Sequence, residues 1–137
     1  MADAEHGARV EAGPITFMIE HRTLVQNGTD VSGPTIRVLG TDDEHEYLRF
    51  DMFNTNAHYH YEPPTVTGDE KERILPLDTV AEGEPVAWAI DRLRNRLAPM
   101  LTAAGGKPLA DALDGAALAR AVDEVEGLVR EAQAAHA

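Results

Sequence analysis

The sequence predicts an α+β domain in which an antiparallel sheet comes first and amphipathic helices follow. Up to about residue 61, apolar and polar residues alternate in short segments, as expected for strands with one buried face. After Pro85 the apolar residues recur at steps of three and four, which indicates helices. We therefore expect a four-stranded meander over about 15–61, covered on one face by two C-terminal helices over about 86–98 and 116–134.

Turn sequences separate the predicted strands. Asn27-Gly28 marks one turn, Gly33-Pro34 marks a second, and the polar run 40–44 provides a third connection. The predicted strands cover 15–20, 35–39 and 46–52, followed by a strand rich in histidine and tyrosine that ends near residue 61. Residues 65–84 read as an extended connection, part of which packs on the sheet or belongs to a binding loop.

The helical half carries its own boundary signals. Pro85 suits the first turn of a helix, Pro99 is expected to kink or end that helix, and Asp114 is a suitable N-cap for the last helix. Residues 1–13 are small and polar, and we predict that they form a flexible tail preceding a single domain over 14–137.

Composition excludes several classes of function. The net charge of −12, from 24 acidic and 12 basic residues, argues against nucleic acid as a partner. The chain has no cysteine, which removes thiolate chemistry and disulfides and is typical of cytoplasmic proteins. No signal peptide and no long apolar run is visible, so we expect a cytoplasmic protein without a membrane partner. Phosphate-binding loops are also absent, which predicts no nucleotide cofactor.

The strongest chemical signal is the stretch His58-Tyr59-His60-Tyr61-Glu62. On a strand, His58, His60 and Glu62 project from one face, and the two tyrosines project from the other. Alternate residues stand about 7 Å apart at their Cα atoms, close enough for two imidazoles to meet on one ion. Two nitrogens and one carboxylate form a ligand set for Zn, Mn or Fe, so we predict a divalent-metal or histidine-centred site here.

Two neighbouring residues are predicted to support catalysis at this site. Asp51 is a candidate base or outer partner of the ligands, and Arg49 or Arg37 would attract the carboxylate of a substrate. On this hypothesis the protein is a small cytoplasmic, metal-binding protein that acts on a small polar or anionic molecule. A metal-free acid–base cluster and an ordinary solvent-facing strand remain alternatives for the same residues.

A non-enzymatic accessory subunit or interaction module is the rival interpretation. Tyr59 and Tyr61 would face a partner, since tyrosine is enriched at interface centres. The C-terminal half is rich in alanine, which permits close helix packing and makes a homo-oligomer or a partner subunit the expected assembly.

Two short resemblances accompany these interpretations. The His58-x-His60 pair on a strand resembles the first motif of the cupins, in which two histidines and a glutamate hold a metal, but the spacing of Glu62 and the helical second half depart from the cupin pattern. Leu48-Arg-Phe-Asp51 followed by His58-x-His60 and a helix resembles small toxin-like domains of toxin–antitoxin pairs, which implies a protein partner and carries over no catalytic residue.

Overall fold

The computed structural model describes residues 7–64 and 73–136, and it confirms a mixed α+β architecture. Its sheet is an antiparallel meander in which each strand pairs with the next one along the chain. It has six strands where the sequence predicted four, because one strand is added at each edge. The strands are β1 (Ala8–Ala12), β2 (Ile15–Gln26), β3 (Thr29–Gly40), β4 (Glu46–Asp51), β5 (His58–Tyr61) and β6 (Arg73–Pro76).

The first added strand, β1, corrects residues 8–12 of the predicted N-terminal tail, whose residues 1–6 lie outside the described part of the chain. Residues 8–12, which we had assigned to that tail, pair with β2 over the register from Ala8↔Ile19 to Ala12↔Ile15. Val10 and Ala12 are buried, whereas their neighbours are more exposed. The segment is short and has only these two small apolar anchors, so its alternation is easily overlooked in the sequence.

The last strand, β6, comes from the predicted extended connection over 65–84. It pairs with β5 from Tyr61↔Arg73 to His58↔Pro76, so part of that connection packs on the sheet, as expected. A short helix, α1 (Thr79–Glu82), follows, and Asp78 accepts hydrogen bonds from its first backbone amides. Residues 65–72 of the connection lie outside the described part of the chain.

The long β2–β3 hairpin corrects a predicted turn. Asn27 and Gly28 form the tight turn with positive φ angles of 52° and 78°, as predicted. Gly33-Pro34, however, lies inside β3, where a Cβ at position 33 would stand 2.5 Å from the carbonyl oxygen of Met52. Glycine is required there by close contact with the chain that leaves β4. Because position 33 continues the strand, β2 and β3 each have 12 residues, at least twice the predicted length.

The helices begin as predicted but divide into more pieces. They are α2 (Pro85–Asn95), α3 (Leu97–Ala103), α4 (Lys107–Asp111) and α5 (Gly115–Ala135). The first ends three residues earlier than expected, since Pro99 cannot donate to the carbonyl of Asn95 and its ring would clash there. Asp114 caps α5 as predicted, accepting a 2.8 Å hydrogen bond from the amide of Ala117.

The helices cover one face of the sheet. The last helix, α5, packs against β1, β2, β3 and α2, and the core lies between these elements. No helix within residues 7–64 and 73–136 is long and apolar enough to cross a membrane. Fully buried side chains in this core include Ile15, Phe17, Ile36, Val38, Leu48, Phe50, Leu93, Val122, Val125 and Val129.

Candidate metal centre

Strand register brings the predicted site residues together on the sheet face opposite the helices. Strands β4 and β5 pair so that Asp51 lies directly opposite His58 and Arg49 lies directly opposite His60. In an antiparallel pair, residues directly opposite each other point to the same face. The four side chains therefore form two adjacent cross-strand pairs on one face, with the tyrosines of β5 on the other.

Asp51, His58 and His60 converge on one point. The Oδ2 atom of Asp51 lies 3.1 Å from Nε2 of His58 and 3.0 Å from Nε2 of His60. One donor atom from each residue lies within 4.8 Å of the others, so these three residues form a group that could hold a metal ion. All three are buried, with exposed fractions of 1%, 8% and 3%.

The ring of His58 is oriented by the backbone. Its Nδ1 lies 2.7 Å from the carbonyl oxygen of Asn56. A carbonyl can only accept, so Nδ1 carries a hydrogen and donates it. In the neutral ring Nε2 is then a bare lone pair, and it faces Asp51. This is the orientation in which an imidazole binds a metal, with the remote nitrogen fixed by a hydrogen bond.

One oxygen of the Asp51 carboxylate is held by residues of two other strands. Its Oδ1 accepts a 2.8 Å hydrogen bond from the buried hydroxyl of Thr35, which lies directly opposite on β3. Arg22 reaches the same oxygen at 3.4 Å from β2. These contacts fix the carboxylate so that its other oxygen points toward the two histidines.

The electrostatics of the cluster favour a charged pair. Burial alone would raise the pKa of Asp51, but hydrogen bonds from His58 and His60, together with the charge of Arg49, hold that pKa far below its ordinary value. The hydrogen bond to Asp51 outweighs burial at His58 and raises the pKa of its ring. These shifts favour a protonated His58 paired with the Asp51 carboxylate.

Arg49 is an integral part of the cluster. Its Nε donates to Oδ2 of Asp51 at 3.1 Å, and its Nη2 lies 3.0 Å from Nε2 of His60. It also pairs with Glu46 at 3.4 Å. The guanidinium that the sequence predicts to attract a substrate thus stands beside the donor atoms of Asp51 and His60.

Glu62 lies farther along the chain than the other predicted ligands. Strand β5 ends at Tyr61, and the Glu62 carboxylate is directed toward Arg49, 3.9 Å from its Nη1. It also contacts Glu46, whose pKa is lowered because hydrogen bonds from Glu62 and Arg37 outweigh burial. The structure thus places Asp51, rather than Glu62, in the group with the two histidines.

Arg37, the second arginine considered for substrate attraction, is occupied by carboxylates. It contacts Glu20 at 2.6 Å on one side and Glu46 at 2.6 Å on the other. Burial lowers the pKa of Arg37, but its hydrogen bonds to these acids outweigh burial and raise it. These two partners make Arg37 a structural bridge across β2, β3 and β4, whereas Arg49 is the arginine that contacts Asp51 and His60 directly.

An apolar wall and an open cavity border the histidines. The ring of Phe53 stands edge-on to His58, with centroids 5.7 Å apart, and shields one side of the site. His58 also lines a cavity of about 400 Å³ together with Gln26, Asn56, Ile74 and others. His58 is therefore the member of the cluster that borders this cavity, with Phe53 as an apolar wall beside it.

Two positioning residues were absent from the sequence-based hypothesis. Thr35 and Arg22 hold Asp51, yet both lie on strands distant in sequence from the His58-x-His60 motif. The missing signal is register: β3 must pair with β4 so that Thr35 faces Asp51. Side-chain parity was readable from the sequence, but the pairing offset between strands was not.

Comparison with known proteins identifies the family of the chain but gives no activity for it. No curated protein and no solved structure matches the chain significantly. The model of a family described as a domain of unknown function, DUF7700, matches residues 9–129, from β1 into α5. That match includes the entire Asp51–His58–His60 cluster. The chain belongs to the DUF7700 family.

Proposed function

We propose that Asp51, His58 and His60 bind a divalent metal ion. The observation that carries the proposal is the contact between His58 Nε2 and Asp51 Oδ2 at 3.1 Å, with the ring hydrogen of His58 held at Nδ1 by Asn56. Two lone pairs face each other in the neutral state, and such an arrangement is stable only when a cation lies between them. At neutral or higher pH a metal ion can fill that position in place of a proton.

Donor spacing supports the same proposal. Ligand atoms at about 2.1 Å from an ion, at tetrahedral or octahedral angles, lie about 3.0–3.4 Å from one another. The two nitrogen–oxygen distances in this cluster are 3.0 and 3.1 Å. These two distances suit coordination of an ion, although the guanidinium of Arg49, 3.0 Å from His60 Nε2, would have to move aside. Two imidazoles plus one carboxylate suit Zn, Mn or Fe.

The number of protein ligands favours a catalytic site over a purely structural one. Structural zinc sites are usually closed by four protein ligands, whereas three leave positions open for water and substrate. An ion bound to Asp51 and His60 would take over the lone pairs that Arg49 Nε and Nη2 now contact, while Nη1 keeps its contacts with Glu46 and Glu62. We propose that Arg49 then binds the carboxylate of a small substrate while the ion polarises it or activates water.

A second candidate, a metal-free acid–base site, is favoured by one observation. Arg49 already places a positive charge 3.0 Å from His60 Nε2. The guanidinium thus supplies the cation that a metal ion would supply in the first candidate. In that case His58, protonated and paired with Asp51, would serve as a general acid. The two candidates differ in whether a metal ion binds the chelator-treated protein.

Calorimetric titration with Zn²⁺, Mn²⁺ and, under anaerobic conditions, Fe²⁺ tests the proposal. Tag-free, chelator-treated protein should bind one equivalent of at least one ion. His58→Ala plus His60→Ala should lower the affinity by more than the roughly 10–100-fold that loss of an outer partner costs. His136→Ala is the matched control, because it removes an exposed histidine at the end of α5 and should leave the affinity unchanged.

Two further measurements distinguish the metal site from the acid–base site. Glu62→Gln, at the ligand predicted from the sequence, should weaken binding less than His60→Ala, because water can replace one carboxylate. Native protein that binds none of the three ions would refute the metal site. The acid–base site would then be supported if the NMR titration of His58 moves to lower pH in Asp51→Asn.

A further inference from the structure

We propose that a second site, on the helix-covered side of β5, binds a small planar organic anion. Strand β5 and the α2–α3 junction enclose an open cavity of about 400 Å³. This volume falls within the range of small-molecule sites, about 300–1,000 Å³. Aromatic rings and arginines dominate the lining: Tyr59, Tyr61, Trp88, Arg92 and Arg96, with Pro99 and Met100 at the junction.

Three aromatic rings provide flat walls. Trp88 and Tyr59 have centroids 4.9 Å apart at an interplanar angle of 49°, and Tyr61 stands 6.0 Å from Tyr59. Guanidinium groups lie over Trp88 and Tyr61, from Arg92 and Arg73, and a planar molecule can stack against the parts of the rings that line the cavity. Both tyrosines are half-buried, and neither hydroxyl hydrogen-bonds to another group in the described part of the chain. Both hydroxyls can therefore donate a hydrogen bond to a ligand or accept one from it.

The charge of this cavity is opposite to that of the whole chain. Arg92 lies over the ring of Trp88, 4.9 Å from its centroid, and pairs with Asp91 and with Glu82 at 3.6 Å. Arg96 is exposed at the α2–α3 junction and forms no ion pair with the described residues. In a protein of net charge −12, an arginine beside an aromatic wall that has no acidic partner among residues 7–64 and 73–136 points to an anionic ligand.

The combined features specify the class of ligand. Aromatic faces bind a flat apolar body, and the guanidinium of Arg96 binds a carboxylate or phosphate on that body. An inorganic anion would leave the aromatic walls unused, and a neutral ring would leave Arg96 unused. The site is distinct from the metal centre, because Tyr59 and Tyr61 alternate with His58 and His60 and so lie on the opposite face of β5.

Trp88, the sole tryptophan of the chain, provides the readout. The indole Nε1–H NMR signal of the full-length protein is followed during titration with 2-naphthoate, 2-naphthyl phosphate, neutral 2-naphthamide and acetate. We expect saturable shifts with one or both naphthyl anions, at least tenfold weaker binding of the amide and no saturation with acetate. The stronger of the two anions identifies the preferred headgroup.

Variants assign the interaction to the cavity. Arg96→Gln should weaken binding of the naphthyl anion at least tenfold. Arg120→Gln makes the same charge change at an exposed position of α5 outside the cavity and should bind like the native chain. The proposal is overturned if neither naphthyl anion gives a saturable shift, if acetate binds as well as naphthoate, or if both variants bind alike. Unchanged binding in His58→Ala plus His60→Ala shows that the two sites are independent.

Discussion

The two faces of β5 are stabilised in different ways. On one face His58 and His60 lie opposite Asp51 and Arg49, in a buried polar cluster. On the other face Tyr59 lies opposite Phe50, with ring centroids 6.1 Å apart, and packs toward the helices. Four consecutive residues thus supply both a polar site and part of the core boundary. The period of two in a strand is sufficient to separate these roles.

The difference lies in how the interactions are distributed. The apolar face is held by many interchangeable contacts, so the cost of one truncation depends on the cavity that it leaves. On the polar face, the carboxylate of Asp51 is the shared partner of five groups: His58, His60, Arg49, Thr35 and Arg22. Stability there should depend strongly on a single residue, and the comparison can be tested on that point.

The largest effect is expected for Asp51→Asn. The substitution keeps the shape but removes the charge that holds two histidines and Arg49. Losing one partner of a buried ion pair costs about 3–5 kcal/mol, and we expect a decrease of that size in the free energy of unfolding. Urea denaturation in the presence of a chelator measures it.

Asp42→Asn, at an exposed acid in the β3–β4 connection, is the control and should change stability by less than about 0.5 kcal/mol. A loss below about 1 kcal/mol for Asp51→Asn would show that the cluster is not held by this carboxylate.

On the apolar face, Leu93→Ala should cost about 2–5 kcal/mol. Leu93 is fully buried on α2, so truncation leaves a cavity between helix and sheet. Val80→Ala is the matched control, since Val80 on α1 is 95% exposed and should tolerate the change within about 0.5 kcal/mol. The same urea denaturation experiment applies. Similar midpoints for the two variants would contradict the placement of the core on this face.

Much of this comparison follows from the sequence. Alternation alone separates His58 and His60 from Tyr59, and it places Asp51 on the histidine side. The switch of apolar period near Pro85 predicts the helical half. These features depend on local geometry, in which the backbone period fixes the direction of each side chain.

Features that depend on non-local pairing were not readable from the sequence. The replacement of Glu62 by Asp51 in the three-residue cluster depends on the register between β4 and β5 and on where β5 ends. Gly33 read as a turn residue because glycine is common in turns, whereas here it is required by close contact with Met52. Sequence patterns predict the face of a strand or helix on which a side chain lies. Tertiary packing decides which side chains on that face come into contact.

A smaller effect, in pH dependence, should distinguish proton from metal at the polar site. The pKa of His58 is raised in the folded state, so its contribution to stability is present below the unfolded value of about 6.5 and is lost as pH rises through the folded pKa. The pKa of Asp51 is lowered, so its contribution is present above about 3.9 and is lost as pH falls through the folded pKa. Chelator-treated protein should therefore be more stable near pH 6 than near pH 9.

Chemical denaturation at several pH values, with His58→Gln as the comparison, measures this trend. The variant should show a flatter dependence between about pH 6 and 9, because the titrating group is gone. Metal affinity should change in the opposite direction and increase with pH, since the ion competes with the proton on Nε2. Equal pH profiles for native protein and variant would indicate that His58 does not exchange a proton with this site.

The smallest effect is expected for Tyr59→Phe, which tests the separation of the two faces directly. The hydroxyl of Tyr59 forms no hydrogen bond within the described residues, and its ring lies 4.9 Å from Trp88, away from the histidines. Stability should therefore stay within about 0.5 kcal/mol of the native value.

Metal affinity, measured by the same calorimetric titration, should stay within about twofold, because every donor atom lies on the other face of β5. His60→Ala, one residue along the same strand, provides the contrast and should abolish most of the binding. A tenfold loss of metal affinity in Tyr59→Phe would mean that the two faces of the strand do not act independently.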